Sequence, residues 1–166
     1  NINSSGKGGK LKIATLKIKS EIYAFIDADL PIKLNEFLEI INCIKFNRAD
    51  LALSFRKKSK RPLIRKIVSK IGHIILMLSI GIKIKDVFAG AKAWNRKVVE
   101  KAWPFVEDEG WFFDVELIYY SEKSRLRIME VPVIYYDEGS GRQFNVFKGI
   151  FYITIKLIKF IFKHYL

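Results

Sequence analysis

Two aspartates separated by one residue, Asp27 and Asp29, have the side-chain type and spacing that suit metal chemistry. They directly follow Ile22 to Ile26, a short apolar run rich in β-formers that is typical of a buried strand in a parallel sheet. Because the chain leaves strand geometry there, both carboxylates can converge on one divalent cation, at the sheet edge where open α/β folds bind ligands. Spacing alone leaves a second interpretation open, in which Asp27 ends the strand and Asp29 caps the next turn.

A glycine-rich basic segment at 6–9 is a second candidate for ligand binding. Its glycines would free backbone N–H groups for a phosphate, and Lys7 would supply positive charge. The segment lacks the GxxxxGK[ST] spacing of a Walker loop, so a flexible basic terminus is the alternative interpretation.

The elements that position these residues follow from hydrophobic periodicity. Apolar residues recur at helical spacing over 35–46, and a second strand follows at 51–54. A strand, a helix and a strand at this spacing predict a βαβ unit and an α/β fold. Further elements are predicted as a helix from 62 to about 79, a strand at 91–94, a helix at 113–121 and a strand at 127–135.

Composition limits the class of protein. The 166 residues, 50% hydrophobic and 28% charged, suit one globular domain and argue against disorder. A net charge of +13 implies an anionic partner, which can be nucleic acid, anionic lipid or a phosphorylated substrate. The single cysteine, Cys43, excludes an internal disulfide, and no run reaches the roughly 18–20 apolar residues that a membrane span needs.

The C-terminal segment from 148 to 163 predicts an amphipathic helix with a narrow basic stripe. Its polar positions recur every three or four residues at Lys148, Tyr152, Lys156, Lys159 and Lys163. Bulky apolar residues fill the wide remaining arc, which favours a helix that lies in the interface of an anionic membrane. A core helix, or a helix that packs on sequence outside the chain, are the alternatives.

Six blocks of the chain, taken in order, resemble the motifs of family 2 glycosyltransferases. The branch that they resemble is the dolichyl- or polyprenyl-phosphate hexose synthases. The blocks are NSSGKGG at 3–9, FIDADL at 25–30, LSFR at 53–56, DVFAGAKAW at 86–94, WFFDVEL at 111–117 and EVPV at 130–133. Their order along nearly the whole chain is more specific than any single block.

The resemblance implies a GT-A-like, Rossmann-type α/β fold with a mostly parallel sheet and flanking helices. It also implies that the N-terminal βαβ portion of the family has no counterpart here. We therefore expect a partial glycosyltransferase domain at 1–145 and an amphipathic, membrane-interfacial helix at 146–166. In the family, the two acids that match Asp27 and Asp29 hold Mg²⁺ or Mn²⁺ against the sugar-nucleotide diphosphate. Pro31 stands where many relatives have a further polar ligand.

The same resemblance assigns roles to other residues. Lys7, Arg56 and Arg65 match basic positions that face phosphates, with a solvated basic loop as the alternative for the two arginines. Asp86 matches an acid beside the reacting centre that acts as a base or positions the acceptor. The acids at 114 and 116 share the match, but acids near a helix start can equally serve as N-terminal caps or salt-bridge partners, so a structural role competes with a catalytic one.

The function implied is a metal-dependent, inverting transfer of a hexose from a UDP- or GDP-sugar to a polyprenyl (dolichyl) phosphate. The expected place is the cytoplasmic face of a membrane, with the protein peripheral or monotopic. An inactive membrane-associated fragment of such an enzyme is the first alternative. A nucleic-acid-binding domain ranks last, because the basic residues fall in no recognised nucleic-acid motif.

Overall fold

The computed structural model describes residues 6–58, 63–135 and 146–165, and for 58, 63–69, 146–148 and 165 it describes the backbone alone. In chain order the elements are α1 Lys7–Lys17, β1 Ile22–Ile26, α2 Leu34–Lys45, β2 Leu51–Lys58, α3 Leu63–Ile80, β3 Ala91–Asn95, α4 Arg96–Lys101, a 3-10 turn Trp103–Phe105, α5 Phe113–Lys123, β4 Ile128–Ile134 and α6 Val146–Tyr165.

The chain folds into two compact units. The first spans 1–59 and 84–136 and holds, within its described part, the sheet with α1, α2, α4 and α5. The second spans 60–83 and 137–166, and its described part consists of α3 and α6, which contact each other. No helix in the described ranges is both long and apolar enough to cross a bilayer.

The sheet is mixed, with the strand order β1-β3-β2-β4. Strand β3 runs antiparallel to both of its neighbours, β1 and β2, while β2 and β4 pair in parallel. Three of the four strands therefore run in one direction, and the predicted α/β class is confirmed. The sheet is mixed rather than mostly parallel in its pairing, because β2 and β4 form the one parallel pair among the three described. Strand β1, expected to be buried, lies at an end of the sheet and is partly exposed. The predicted βαβ unit lacks direct pairing of its strands, because β3 lies between β1 and β2. Pro132 lies in β4, at an edge of the sheet where a missing N–H is tolerated.

Helix α2 forms a hydrophobic core on one face of the sheet. Its residues Ile40, Cys43 and Ile44 are buried against strand alanines and Val133. Fully burying a side chain such as Ile40 stabilises the fold by roughly 1.5–3 kcal/mol. Burial also raises the pKa of the Cys43 thiol, which places this cysteine in the core as an apolar side chain.

Aromatic side chains pack a second buried cluster around the 3-10 turn. The rings of Trp94 and Trp103 lie 5.5 Å apart, and those of Trp103 and Phe113 lie 6.1 Å apart. All three side chains are buried, so two of the three tryptophans belong to the core, whereas Trp111 is exposed. This cluster fixes the start of α5 relative to the end of β3.

The glycine-rich segment at 6–9 is the start of helix α1 rather than a loop or a flexible terminus. The Gly8 and Gly9 N–H groups donate to the carbonyls of Gly110 and Glu109, at 3.3 Å and 3.2 Å. A Cβ on Gly8 would lie 2.7 Å from the Cβ of Phe113. The glycines therefore allow a close backbone approach, and these two N–H groups are bonded within the protein, so they are not available to a phosphate.

Candidate active site

The turn after β1 holds the two aspartates at the edge of the sheet. The Asp27 N–H donates to the Gly90 carbonyl at 2.8 Å, and the Leu30 N–H donates back to the Asp27 carbonyl at 3.0 Å. Leu30 has a φ of 45°, in the left-handed region. This backbone costs a bulky residue about 1–2 kcal/mol, and strain of this kind concentrates at functional sites. Asp29 is exposed on the turn, whereas Asp27 is half-buried.

The Asp27 carboxylate contacts the side chain of Lys7, from the first turn of α1. The Lys7 ammonium lies 2.8 Å from Asp27 Oδ1. It also lies 4.6 Å from the centre of the Phe25 ring and 5.9 Å from that of Phe113, so the aromatic faces stabilise its charge. Lys7, predicted to face phosphates, is therefore placed at the predicted metal-binding carboxylate.

The side chains of Asp27 and Asp29 suit a hard divalent cation, but they supply only some of the ligands that such a cation needs. Carboxylate oxygens are the ligands that Mg²⁺ prefers, and Asp27 and Asp29 supply them from an accessible turn. Within 6–58, 63–135 and 146–165 there is no group of three or more His, Cys, Asp or Glu side chains that could hold a metal ion. The remaining coordination positions would therefore fall to water or substrate oxygens, which is common for Mg²⁺.

A buried hydrogen-bond network joins this turn to strands β2 and β4. The Gly90 N–H donates to the Tyr135 hydroxyl at 2.8 Å, and that hydroxyl lies 2.8 Å from the Ser54 hydroxyl. A Cβ on Gly90 would lie 2.8 Å from Asp27 Oδ2, so a larger residue at this position would push the Asp27 carboxylate out of its place. Burial raises the pKa of Tyr135 above its usual value, against the opposing charge of Arg56, so the phenol stays neutral near pH 7.

Arg56 and Asp86, which were predicted from separate blocks, form one ion pair. The Arg56 Nε lies 3.3 Å from Asp86 Oδ2, and both side chains are largely buried. The guanidinium also stacks 4.4 Å from the centre of the Tyr135 ring. Glu130 holds the Asp86 segment in place, because its carboxylate accepts the Lys85 N–H at 2.8 Å. Arg56 therefore connects the acid to the network that also reaches Gly90.

Lys92 and Asp114 form a second, fully buried ion pair that the sequence did not single out. The Lys92 ammonium lies 2.7 Å from Asp114 Oδ1 and donates to the Ala89 carbonyl at 2.8 Å. Burial lowers the pKa of Lys92 and raises that of Asp114, while each charge opposes the shift of the other. The charges of this pair also interact with those of Lys7, Asp27 and Asp86. A lysine inside the apolar strand AKAWN is the signal that could have revealed it.

The structure also bears on two other residues that the sequence singled out, Glu116 and Arg65. Glu116 accepts the N–H groups of Glu107 and Asp108 at 2.7 Å and 2.8 Å, so it holds the loop before α5. This is the structural alternative that the sequence left open. Arg65 lies in the N-terminal part of α3, in the second unit, and its side chain falls outside the described residues.

The first unit therefore brings together Lys7, Asp27, Arg56 and Asp86, with Gly90 between the two ion pairs. Such a cluster of paired charges at the carboxyl end of β1 suits the binding of a metal ion with a phosphorylated ligand.

Comparison with known proteins supports the resemblance drawn from the motifs. The chain is 29% identical over 154 residues to dolichyl-phosphate β-glucosyltransferase of Saccharomyces cerevisiae, covering 81% of this chain and 46% of the yeast protein. It is 26% identical over 125 residues to polyprenol monophosphomannose synthase of Mycolicibacterium smegmatis, covering 70% of this chain and 46% of that protein. No protein-family model matches the chain.

Solved structures share the fold. The complex of glucosyl-3-phosphoglycerate synthase from Mycobacterium tuberculosis with phosphoglyceric acid superposes with a TM-score of 0.65 at 18% identity, over 95% of this chain and 54% of that one. The complex of the same enzyme with Mn²⁺, UDP-glucose and phosphoglyceric acid gives a TM-score of 0.60 at 15% identity, over 93% and 52%. The chain thus has a GT-A-like glycosyltransferase fold and spans about half the length of these proteins. Its homologues are dolichyl- and polyprenyl-phosphate glycosyltransferases.

Proposed function

We propose that the first unit carries the metal and phosphate side of a glycosyltransferase active site. The reaction is the inverting transfer of a hexose from a UDP- or GDP-sugar to a polyprenyl phosphate. The observation that carries the proposal is the charge cluster of Lys7, Asp27, Arg56 and Asp86 in a chain similar to dolichyl-phosphate β-glucosyltransferase over most of its length. The chain spans about half of that relative, so the activity is proposed for a protein that contains it.

Asp27 and Asp29 are the residues that would hold Mg²⁺ or Mn²⁺, the two ions found in complexes of the Mycobacterium tuberculosis synthase. When bound, such a cation neutralises negative charge that develops on the leaving diphosphate. Pro31 supplies no side-chain ligand, so oxygens of the donor or of water would have to complete the coordination of such a cation.

Arg56 binds phosphate oxygens near this turn in the proposal. Its planar guanidinium offers several donors in a fixed fork, and only part of it is used by Asp86 and by the Phe88 carbonyl at 3.5 Å. The stacking of Arg56 on Tyr135 keeps this fork in one orientation. Lys7 completes this phosphate-binding set within the first unit, and a phosphate-facing role for Arg65 of the second unit stays a separate prediction.

Asp86 acts in the proposal as the group that orients the acceptor. A phosphate monoester is already largely anionic near pH 7, since its second pKa is about 6, so little general-base work is needed. An oxygen of the acceptor phosphate attacks the anomeric carbon of the hexose and forms the new carbon–oxygen bond. The bond between that carbon and the diphosphate of the donor breaks, with inversion at the carbon. The Arg56 contact then balances the charge of Asp86 beside two anionic substrates.

The second unit suits a membrane surface through both of its helices. Helix α6 exposes a row of apolar side chains beside Lys156, Lys159 and Lys163, and α3 exposes a comparable row at helical spacing. The exposed apolar residues are Ile71, Ile74, Ile75 and Leu78 on α3 and Phe151, Ile155, Ile158 and Phe162 on α6. Apolar rows with nearby lysines favour the interface of an anionic bilayer, on the cytoplasmic face in this proposal.

The transfer reaction is tested with membranes that contain the protein, a polyprenyl phosphate and either labelled UDP-glucose or labelled GDP-mannose. Labelled lipid is expected with one of the donors, and Asp29→Asn should abolish it. Glu21→Gln is the matched control, because Glu21 is an exposed carboxylate at the opposite end of β1. Full activity of Asp29→Asn would refute the metal assignment.

The membrane role is tested by sedimentation of the chain with vesicles of neutral or anionic lipid. Binding to anionic vesicles is expected, and replacement of Phe151 and Phe162 with Ser should weaken it at both low and high salt. Vesicle binding without any sugar transfer would instead support the alternative of an inactive membrane-associated fragment. Equal binding of the double variant would contradict the apolar contact.

A further inference from the structure

Lys7 and a divalent cation would compete for the same carboxylate. The Lys7 ammonium lies 2.8 Å from Asp27 Oδ1, which is one of the oxygens assigned above to the metal. A cation that binds Asp27 would therefore meet a positive charge already in contact with its ligand. Like charges at such distances repel strongly in a partly buried site.

The charges around Asp27 are nearly balanced without a metal. Three cations, Lys7, Arg56 and Lys92, interact with the three carboxylates of Asp27, Asp86 and Asp114, and Asp29 adds one exposed negative charge. A divalent cation changes this local sum from minus one to plus one. Departure of one side-chain cation would restore neutrality.

Lys7 is the cation most able to leave. Its side chain is 27% exposed, compared with 16% for Arg56 and 1% for Lys92. The four-carbon stem of a lysine reorients at low cost, whereas Arg56 is stacked on Tyr135 and Lys92 is enclosed with Asp114. The three cations thus differ in mobility because they differ in burial and in contacts.

We propose that Lys7 is a displaceable counter-cation of the metal site. Its ammonium neutralises Asp27 in the absence of a divalent cation. When the cation binds, the ammonium leaves Asp27 and pairs with the donor diphosphate. Lys7 therefore opposes binding of the cation alone and favours binding of the cation together with a diphosphate. The inference rests on the proposed metal site at Asp27 and Asp29, and it adds a reason for metal and donor to bind together.

The test compares the chain with Lys7→Met and with Lys10→Met, which removes an exposed charge from the same helix. Mn²⁺ binding is followed by the electron paramagnetic resonance signal of free Mn²⁺, and binding of the preformed Mn²⁺–UDP complex by calorimetry. Because half-exposed ion pairs contribute up to about 1 kcal/mol, Lys7→Met should bind Mn²⁺ about fivefold more tightly. It should bind Mn²⁺–UDP about fivefold more weakly, while Lys10→Met should match the parent chain.

Opposite changes in the two affinities are the signature, because a merely structural loss would weaken both. Lys7→Met with unchanged or weaker Mn²⁺ binding would overturn the inference, as would unchanged Mn²⁺–UDP binding. Asp29→Asn separates the two proposals. If it loses Mn²⁺ binding while Lys7→Met has no effect, the metal site stands and the exchange fails. If neither the parent chain nor Lys7→Met binds Mn²⁺, both proposals fail.

A second measurement needs no variant. Reductive methylation followed by mass spectrometry reports how accessible each lysine amine is. Mn²⁺ is expected to raise the labelling of Lys7 relative to Lys10, because the ammonium leaves Asp27. Labelling of Lys7 that stays constant as Mn²⁺ binds would contradict the displacement.

Discussion

Removal of the Asp114 carboxylate is expected to destabilise the first unit by about 3–5 kcal/mol, the usual cost of leaving one buried charge without its partner. Lys92 is 1% exposed and Asp114 is 5% exposed, with 2.7 Å between ammonium and carboxylate. In Asp114→Ala, the partners that the described residues leave to the Lys92 ammonium are the Ala89 carbonyl at 2.8 Å and the face of the Phe113 ring at 5.7 Å.

The free-energy cost of leaving Lys92 without its partner has an upper limit, because Lys92 can lose its proton instead of remaining charged in the core. Each pKa unit corresponds to about 1.4 kcal/mol, and an unfolded lysine has a pKa of about 10.4. Discharging it at pH 7 therefore costs about 5 kcal/mol relative to the unfolded chain. The expected loss lies at or below this value.

Urea unfolding of Asp114→Ala at several pH values measures the effect. A neutral Lys92 in the folded variant binds fewer protons than the unfolded chain, so the free energy of unfolding rises with pH up to about 10. The double variant Lys92→Met with Asp114→Leu removes both charges and should recover much of the stability. A loss below about 1 kcal/mol would refute the assignment of a buried ion pair, and a loss independent of pH would refute the discharge of Lys92 in the variant.

Three further changes test the site and its frame. Gly90→Ala should weaken Mn²⁺ binding in paramagnetic resonance titrations, because its Cβ would lie 2.8 Å from Asp27 Oδ2 and would displace that carboxylate oxygen. Tyr135→Phe should lower the free energy of unfolding in urea by about 1–3 kcal/mol, since the buried Gly90 N–H loses its acceptor. Asp50→Asn should make the free energy of unfolding in urea fall less steeply as the pH is lowered below about 4. Burial alone would raise the pKa of Asp50, but hydrogen bonds from Arg127 outweigh it and hold the pKa well below its usual value. The ionised carboxylate therefore stabilises the parent above about pH 4, and protonation removes this as the pH falls further.

The controls for these variants also come from the chain. Gly72 lies in α3, where an added Cβ would have no atom within 4 Å apart from the adjacent residues and backbone of its own helix, so Gly72→Ala should raise helix stability by about 0.5–1 kcal/mol. Normal Mn²⁺ binding by Gly90→Ala would contradict the close approach at Asp27. An unchanged unfolding midpoint for Tyr135→Phe, or a full acid slope in Asp50→Asn, would contradict the corresponding contact.

Local patterns predicted most of the elements of the fold. The helix expected at 35–46 is α2 at Leu34–Lys45, and the C-terminal helix expected at 148–163 extends over Val146–Tyr165. Both have a clear apolar face, which is the strongest signal for a helix. The strand expected at 51–54 continues to Lys58, because its later residues pair with β4 although they are basic.

Features that depend on long-range contacts were not predicted. Helix α1 begins at a glycine-rich run, where helix propensity is low, and the backbone at 109–110 compensates. The antiparallel direction of β3 leaves no trace in hydrophobic periodicity, because a strand reads the same in both directions.

The site was foreseen as separate residues rather than as pairs. The end of the apolar run predicted that Asp27 and Asp29 directly follow a strand, and β1 does end at Ile26. Arg56 and Asp86 lie in different blocks, and a single sequence carries no information that they touch. Lys92 was overlooked because a lysine in a strand is usually solvated, whereas here Asp114 neutralises it in the core.

The binding of a divalent cation by Asp27 and Asp29 is tested most directly by anomalous X-ray diffraction from crystals of the chain with Mn²⁺ and UDP-glucose. The expected result is one manganese peak bonded to carboxylate oxygens of both aspartates, with the Lys7 ammonium displaced from Asp27. A manganese peak at other residues, or bound UDP-glucose with no metal beside these aspartates, would contradict it.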